Sequence, residues 1–412
     1  MRLDRLFASL FLILAFAILA GCPKKDIPPP ESPDQPPFYR IMRQGDARRI
    51  SRELTPASQG FESWTAYRAA LEDSLGYLLR KPADAACVNR PGLTLTWGQL
   101  ADSVAELMAL LPKLDTEPGL LAERFDWLRV SPDTLLTGYY EPWLEASLEQ
   151  DGEYKYPLYG VPDDLKVADL GKFHYRWKGQ HLVYRMGPDG IEPYPDRQAI
   201  DGSDALSGKG CEIAWAKDPV DIFFLQVQGS GRLALPDGSS RHILYGGKNG
   251  HKYVSLGRVL IERGLVPKEE MSMQRIRQFL NANPVEALKL MFENPSYVFF
   301  RLSDDGPYGS INSILTPWVS VAVDPSMIPL GAACILSTEL ADTETGEKKS
   351  FRSLVLPQDT GGAIKGTRMD LFCGSTPEAE HLAGHLQERS EVFLLVSRQV
   401  MQVAQKAAPQ ED

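Results

Sequence analysis

The sequence predicts a mainly β protein with helices, its β part folded into compact barrels, and two observations carry that expectation. From about Leu135 the chain is written in short β-branched and aromatic runs, many lying between Gly, Pro and Asp turns. Before that point, apolar residues recur at helical spacing instead. A length of 412 residues suits about two domains at roughly 100–200 residues each. A hydrophobic fraction of 43% is enough for a sizeable core.

The elements follow in order. Met1 to Arg5 carries two arginines, Leu6 to Ala20 is uncharged and almost wholly apolar, and Gly21-Cys22 follows. Cations, a short apolar core and small residues make a secretory signal over 1–21. The apolar run is short of the about 20 residues that span a bilayer. Leu19-Ala20-Gly21-Cys22 resembles the bacterial lipobox, which implies lipidation of Cys22. A plain signal peptide or short anchor is the alternative. Pro23 follows the cysteine, with no Asp there to suggest inner-membrane retention, so the expected place is the outer membrane, facing the periplasm. Residues 23–38 hold seven prolines in sixteen positions. Such a stretch favours an extended tether that reaches roughly 50 Å at about 3.1 Å per residue.

Trp64, Tyr67, Leu71, Leu75, Leu78 and Leu79 mark a first helix. Thr96 caps a second, with Leu100, Val104, Leu107 and Leu111 as its buried stripe and Pro112 as its stop. Strands are expected at 135–140, 220–228, 297–302, 318–323, 333–337, 353–356 and 392–396, with helices near 256–263 and 272–281 between them. A last helix opens with Thr376 as cap, Pro377 in the first turn, and Glu378 and Glu380 favouring the dipole.

A net charge of -10 argues against nucleic acid as partner, because phosphate binding needs clustered Lys and Arg. Five cysteines occur, and without Cys22 four remain, Cys87, Cys211, Cys334 and Cys373, open to three pairings in an oxidising compartment. No Cys/His spacing suggests zinc, and His381 and His385 lack the glutamate and third ligand of a metalloprotease helix. No P-loop, dinucleotide fingerprint or nucleophile elbow is present, so no cofactor is expected.

Three aspartates stand at turn-like positions late in the chain: Asp324 in Val323-Asp324-Pro325, Asp359 in Gln358-Asp359-Thr360-Gly361-Gly362, and Asp370 in Arg368-Met369-Asp370-Leu371-Phe372. An Asp beside an apolar strand is partly desolvated and holds its proton to higher pH, as a general acid requires. A lone Asp beside Gly or Pro is equally well a turn or Asx cap.

These segments resemble the three-aspartate domain of the membrane-bound lytic transglycosylase A family. Thr137-Gly138-Tyr139-Tyr140-Glu141-Pro142, Tyr156-Pro157-Leu158-Tyr159, residues 224–232, Tyr245 to Gly250, and Asn294 to Phe300 extend the likeness over about 130–400. It implies a double-psi β-barrel catalytic domain from 39–142 plus 295–400, an inserted second β-barrel-like, glycan-binding domain over 143–294, and a tail at 401–412. It implies Asp370 as proton donor, with Asp324 and Asp359 in support.

The implied chemistry uses one carboxylic acid. Asp370 protonates the oxygen joining N-acetylmuramate to N-acetylglucosamine, then takes the proton of the muramate 6-hydroxyl as it closes on carbon 1. The product is a 1,6-anhydromuramoyl end. An ordinary glycosidase needs a second carboxylate instead.

In the groove, Tyr139, Tyr140 and Trp143 are candidates to stack on sugars, and Thr137, Gln226, Gln228, Ser230, Arg232 and Lys365 to bind substrate. The alternative places the aromatics in the core and the glutamines on the solvent side of a strand. Gly229 and Gly231 allow close approach by a polymer or form a bulge. The implied partners are peptidoglycan glycan strands, the membrane through Cys22, and other cell-wall enzymes. The rival readings are a non-catalytic peptidoglycan-binding lipoprotein and a hydrolase pairing Asp370 with Asp359.

Overall fold

The computed structural model describes residues 38–90, 93–341 and 347–401. The expected signal, Cys22, the tether up to 37 and the end of the tail lie outside them.

Six strands close into a barrel in the order Gln387–Ser397, Cys334–Ala341, Lys348–Asp359, Ser320–Ala322, Met369–Phe372 and Thr134–Tyr139, the last pairing back onto the first. Two pairs are parallel: Ser320–Ala322 with Lys348–Asp359, and Met369–Phe372 with Thr134–Tyr139. The rest are antiparallel. This is the expected double-psi β-barrel. Its first strand comes from 134–139 and the others from beyond 320, so the barrel joins pieces distant in sequence. Phe125–Ser131 and Phe38–Ile41 extend the sheet from the side of Gln387–Ser397.

The barrel strands are buried on both faces along much of their length, inside the barrel and under the surrounding helices. Leu136, Val321, Ile335, Leu354, Met369, Leu371 and Phe393 are buried in one core with Leu71, Leu78, Leu100, Leu107 and Leu111 of the helices outside. Those helices are Arg68–Leu79 and Trp97–Leu114. Thr96 and Gln99 form a reciprocal capping box, with Gln99 N–H donating to Thr96 Oγ1 (3.3 Å) and Thr96 N–H to Gln99 Oε1 (2.9 Å). Pro112 does not stop this helix, which runs on to Leu114. The buried Leu110, Leu111 and Leu114 hold the final turn against the core despite the missing N–H.

The insert is a second six-stranded sheet. Its order is Val298–Ser303, Ser240–Lys248, Gly231–Ala234, Trp143–Ser147, Glu212–Ala216 and Tyr156–Tyr159. A bridge between Gly160 and Phe300 joins the two edges, which makes the sheet barrel-like. The sheet takes in residues up to Ser303, past the expected boundary at 294.

One expected element is of the wrong kind. Residues 220–228, expected as a strand, form the helix Pro219–Gln228. Asp218 caps it by accepting from Val220 N–H (2.8 Å), Pro219 occupies the first turn, and Gly229 ends it with φ of 87°. Ile222 and Leu225 face the sheet core, while Val220, Phe223 and Phe224 face a separate cluster with Leu256, Leu260, Leu280 and Leu290. Burial on two sides explains the β-like composition, and tertiary packing overrides propensity.

The four cysteines are unpaired, with Cys334 and Cys373 buried. Among the described residues no helix is long and apolar enough to cross a membrane, and no His, Cys, Asp and Glu cluster is placed to hold a metal.

Candidate active site

The strand Met369–Phe372 lies in the barrel wall between two neighbours. Asp370 is opposite Ala322 on one side and Thr137 on the other. Ala322 is also in register with Asp359, so two of the aspartates flank one short strand. Helix Pro377–His385 packs close behind. A Cβ on Gly138 would lie 3.0 Å from both Ala383 Cα and Cys373 Sγ, so only glycine lets that helix approach.

Thr137 Oγ1 donates to Asp370 Oδ1 at 2.6 Å. Arg368 Nη2 donates to the same hydroxyl at 3.3 Å, and Nη1 to Ala363 O at 3.5 Å. Arg368 Nε is buried without a partner. Burial pushes the Asp370 carboxyl up to about 6. The Thr137 hydrogen bond and the Arg368 cation oppose this, and the charge of Asp359 adds to it. Asp370 thus holds its proton to higher pH than an ordinary carboxyl.

Asp359 is held differently. Tyr139 Oη donates to its Oδ2 at 3.0 Å, and the Ser310 N–H and Oγ both donate to Oδ1 at 3.0 Å. Burial still raises its carboxyl, against hydrogen bonds from Thr360, Ser310 and Tyr139. Tyr139 is itself pushed up by burial and by Asp359. Asp324 goes the other way. Partial burial raises it, but Gly366 N–H (2.9 Å), Ser326 N–H (3.0 Å) and the Lys365 charge outweigh that, so its carboxyl is lowered. Gly366 has φ of 65°, and Lys365 beside it is exposed.

The structure thus gathers Thr137, Tyr139, Asp359 and Asp370, while Asp324 fixes the loop between the last two. Tyr140 is buried, its Oη on Glu380 Oε1 (3.0 Å) and its N–H on Gln228 Oε1 (3.3 Å). Gln226 is also buried, with Nε2 on Val298 O at 3.5 Å and Oε1 unpartnered. Ser230 and Arg232 are half-buried at the start of the insert strand. Arg232 lies over the exposed Trp143 ring at 5.4 Å, and Trp143 Nε1 donates to Ser375 O at 3.1 Å. A Cβ on Gly231 would come within 2.8 Å of Pro142 O, so this glycine serves packing, and Gly229 serves the helix end.

Residues not singled out from sequence also matter. Ser310 and Arg368 complete the aspartate cluster. Glu141 is 1% exposed and joins Arg232 Nε (2.9 Å) to His242 Nδ1 (2.7 Å). The adjacency of Arg368 to Met369-Asp370 was the one sequence signal available; Ser310 carried none.

Comparison with known proteins agrees with this fold. Residues 135–301 match the family model described as the MltA specific insert domain, and residues 319–396 match the 3D domain. The membrane-bound lytic murein transglycosylase A of Escherichia coli K12 is 31% identical over 338 residues, 75% of this chain and 85% of that protein. The protein of the same name from Vibrio cholerae is 35% identical over 267 residues, 64% of this chain and 65% of its own length. A crystal structure of a membrane-bound lytic murein transglycosylase from Agrobacterium tumefaciens superposes with TM-score 0.72 at 32% identity, covering 85% of this chain and 97% of that one. Escherichia coli MltA with bound chitohexaose gives 0.61 at 28% identity, over 80% and 90%.

Fold, site and likeness define the class: an enzyme that cleaves peptidoglycan by transglycosylation. The chain belongs to the membrane-bound lytic murein transglycosylase A family.

Proposed function

We propose that Asp370 is the single catalytic acid and base of this lytic transglycosylase. One observation carries the reading: the Asp370 carboxyl, buried in the barrel wall with one hydroxyl donor, is pushed up to about 6, well above the ordinary carboxylate range.

The protonated carboxyl gives its proton to the glycosidic oxygen between N-acetylmuramate and N-acetylglucosamine, and the bond from that oxygen to carbon 1 breaks. The developing oxocarbenium charge faces the Asp370 carboxylate and the muramate N-acetyl group. The carboxylate then removes the proton of the muramate 6-hydroxyl as that oxygen bonds to carbon 1. Asp370 ends protonated, no water is consumed, and a 1,6-anhydromuramoyl end forms. An intramolecular hydroxyl outcompetes water through its high effective molarity. Thr137 steadies the carboxylate between the two steps. Asp359 fixes Tyr139 and the Ser310 loop, and Asp324 fixes the loop at Gly366. Trp143 and Arg232, with Ser230, Gln228 and Lys365, form the sugar-binding surface, Tyr140 and Gln226 supporting it from within. The insert, taken as 143–294 from sequence, supplies the glycan-binding wall through Trp143 and residues 226–232.

Lipidation of Cys22 and a tether to residue 38 hold the enzyme at the outer membrane, facing the periplasm; the lipobox and the prolines support this part. Digestion of purified peptidoglycan followed by mass measurement of the muropeptides tests the activity. Anhydro ends support it, whereas reducing ends indicate a hydrolase and no release indicates a binding lipoprotein. Full activity in Asp370→Asn would overturn the assignment of the acid.

A further inference from the structure

One part of the insert is unlike the rest of the surface. A three-stranded antiparallel sheet, Lys166–Asp169, His181–Gly187 and Gly190–Pro193, carries between its first two strands an excursion that reads Lys172-Phe173-His174-Tyr175-Arg176-Trp177-Lys178. All seven residues are exposed. Phe173 is 72% and Tyr175 76% exposed, where large aromatics are ordinarily covered.

The tip is built locally. Two short 3-10 turns, Leu170–Lys172 and Tyr175–Trp177, shape it, with Asp169 capping Gly171 N–H at 2.9 Å. The His174 ring stacks on Tyr175 at 4.6 Å and meets Trp177 at 5.6 Å. Lys172, Arg176 and Lys178 have no carboxylate partner among the described residues; of the acids nearby, Asp164 pairs with Lys209, Glu192 pairs with Arg185, and Asp169 accepts from Gly171 N–H.

The sheet behind the tip continues the apolar surface. Alternation and register put Leu182, Met186 and Ile191 on one face, and all three are exposed. The opposite face, through Val183, packs on the insert.

We propose that this cationic aromatic tip docks on an anionic phospholipid surface, as a second membrane contact that goes beyond a Cys22 anchor and does not depend on it. The match is one of charge and chemistry. A body with net charge -10 is repelled by an anionic bilayer, so attraction has to come from a local patch of unpaired cations. Tyr and Trp settle at the headgroup level, Phe and Leu just beneath, and Lys and Arg reach phosphates while their stems cover apolar surface. A sugar-binding platform is concave and set with acceptors for hydroxyls. This tip is exposed at all seven positions and offers cations.

The full-length lipoprotein, reconstituted in phosphatidylcholine vesicles with and without phosphatidylglycerol, tests it, because the anchor is then the same in both. Brominated lipids should quench a component of the tryptophan emission only when phosphatidylglycerol is present, and Trp177→Phe should remove that component. Lys172→Gln with Lys178→Gln should lower the docked-to-undocked ratio roughly thirtyfold. Both variants should release muropeptides at the unaltered rate, which shows that they fold. Equal quenching in both vesicle types would overturn the proposal, as would backbone hydrogen-exchange protection of 170–182 by purified peptidoglycan with none by anionic vesicles.

Discussion

Asp370 sits in a strand of the barrel wall and Asp324 in the loop that follows another, and their proton affinities are driven in opposite directions. Asp370 is deeply buried and Asp324 only partly. Asp324 receives two backbone N–H groups and lies near Lys365, and its carboxyl is lowered. Asp370 receives one hydroxyl, faces a second carboxylate, and is pushed up to about 6. Deep burial with a single hydroxyl donor, against shallow burial with two backbone donors and a nearby cation, separates the aspartate that moves a proton from the one that fixes a loop; Asp359, with three donors, is still raised by its burial.

The largest test of that contrast is Asp370→Asn. It removes the transferable proton while keeping the shape, so kcat should fall by roughly 10²–10⁴. In the parent enzyme kcat/KM should fall as pH rises through about 6, since the acid must be protonated in the free enzyme. The sign for stability follows too. A folded-state value above the ordinary one weakens the fold as pH rises through that range. Asp370→Asn should therefore raise Tm at neutral pH, by thermal unfolding, and leave it nearly unaltered near pH 4. Second comes Asp359→Asn, which loosens Tyr139 and Ser310 and removes the charge that helps hold the proton on Asp370. Expected are a roughly ten- to hundredfold loss in kcat and an alkaline limb moved to lower pH, read from pH–rate profiles.

How much of this was legible in sequence varies with the range of the contact. The three aspartates were visible because each stands beside an apolar run and a turn residue. Thr137 was visible within its motif. Ser310 was not, because it reaches Asp359 from 49 residues away and its hydroxyl resembles any loop serine. The helix Pro219–Gln228 was misread because burial on two faces erased its 3.6-residue period, although Asp218-Pro219 and Gly229 marked both ends. The barrel strands were legible in place but not in pairing, since the closure joins residues more than 230 apart.

Asp324→Ala is the third test and reads the other half of the comparison. Two N–H groups lose their acceptor, which should destabilise the fold by about 1 kcal/mol, with water covering part of the loss at this half-exposed site. The contribution of a lowered carboxylate is present above its unfolded value and lost as pH falls through the folded one. The deficit against the parent, measured by denaturant unfolding, should therefore shrink below about pH 4. Activity should fall less than in Asp359→Asn, because Asp324 touches the loop and not the acid.

The smallest expected effect is the sharpest. Thr137→Val keeps the volume near Asp370 and removes its one hydroxyl donor. Because the Thr137 hydrogen bond opposes burial, its loss should let the Asp370 carboxyl hold its proton to still higher pH. The alkaline limb of kcat/KM should then move up, by less than about one pH unit, as the loss of a single hydrogen bond allows. At low pH, where Asp370 is protonated in both enzymes, protonation of the leaving oxygen should be little affected. The step in which the carboxylate takes the 6-hydroxyl proton should set any remaining loss. A limb that moves down, or stays in place, would mean that Arg368 and not Thr137 is what opposes burial at the acid, and would make its contrast with Asp324 one of burial and charge alone.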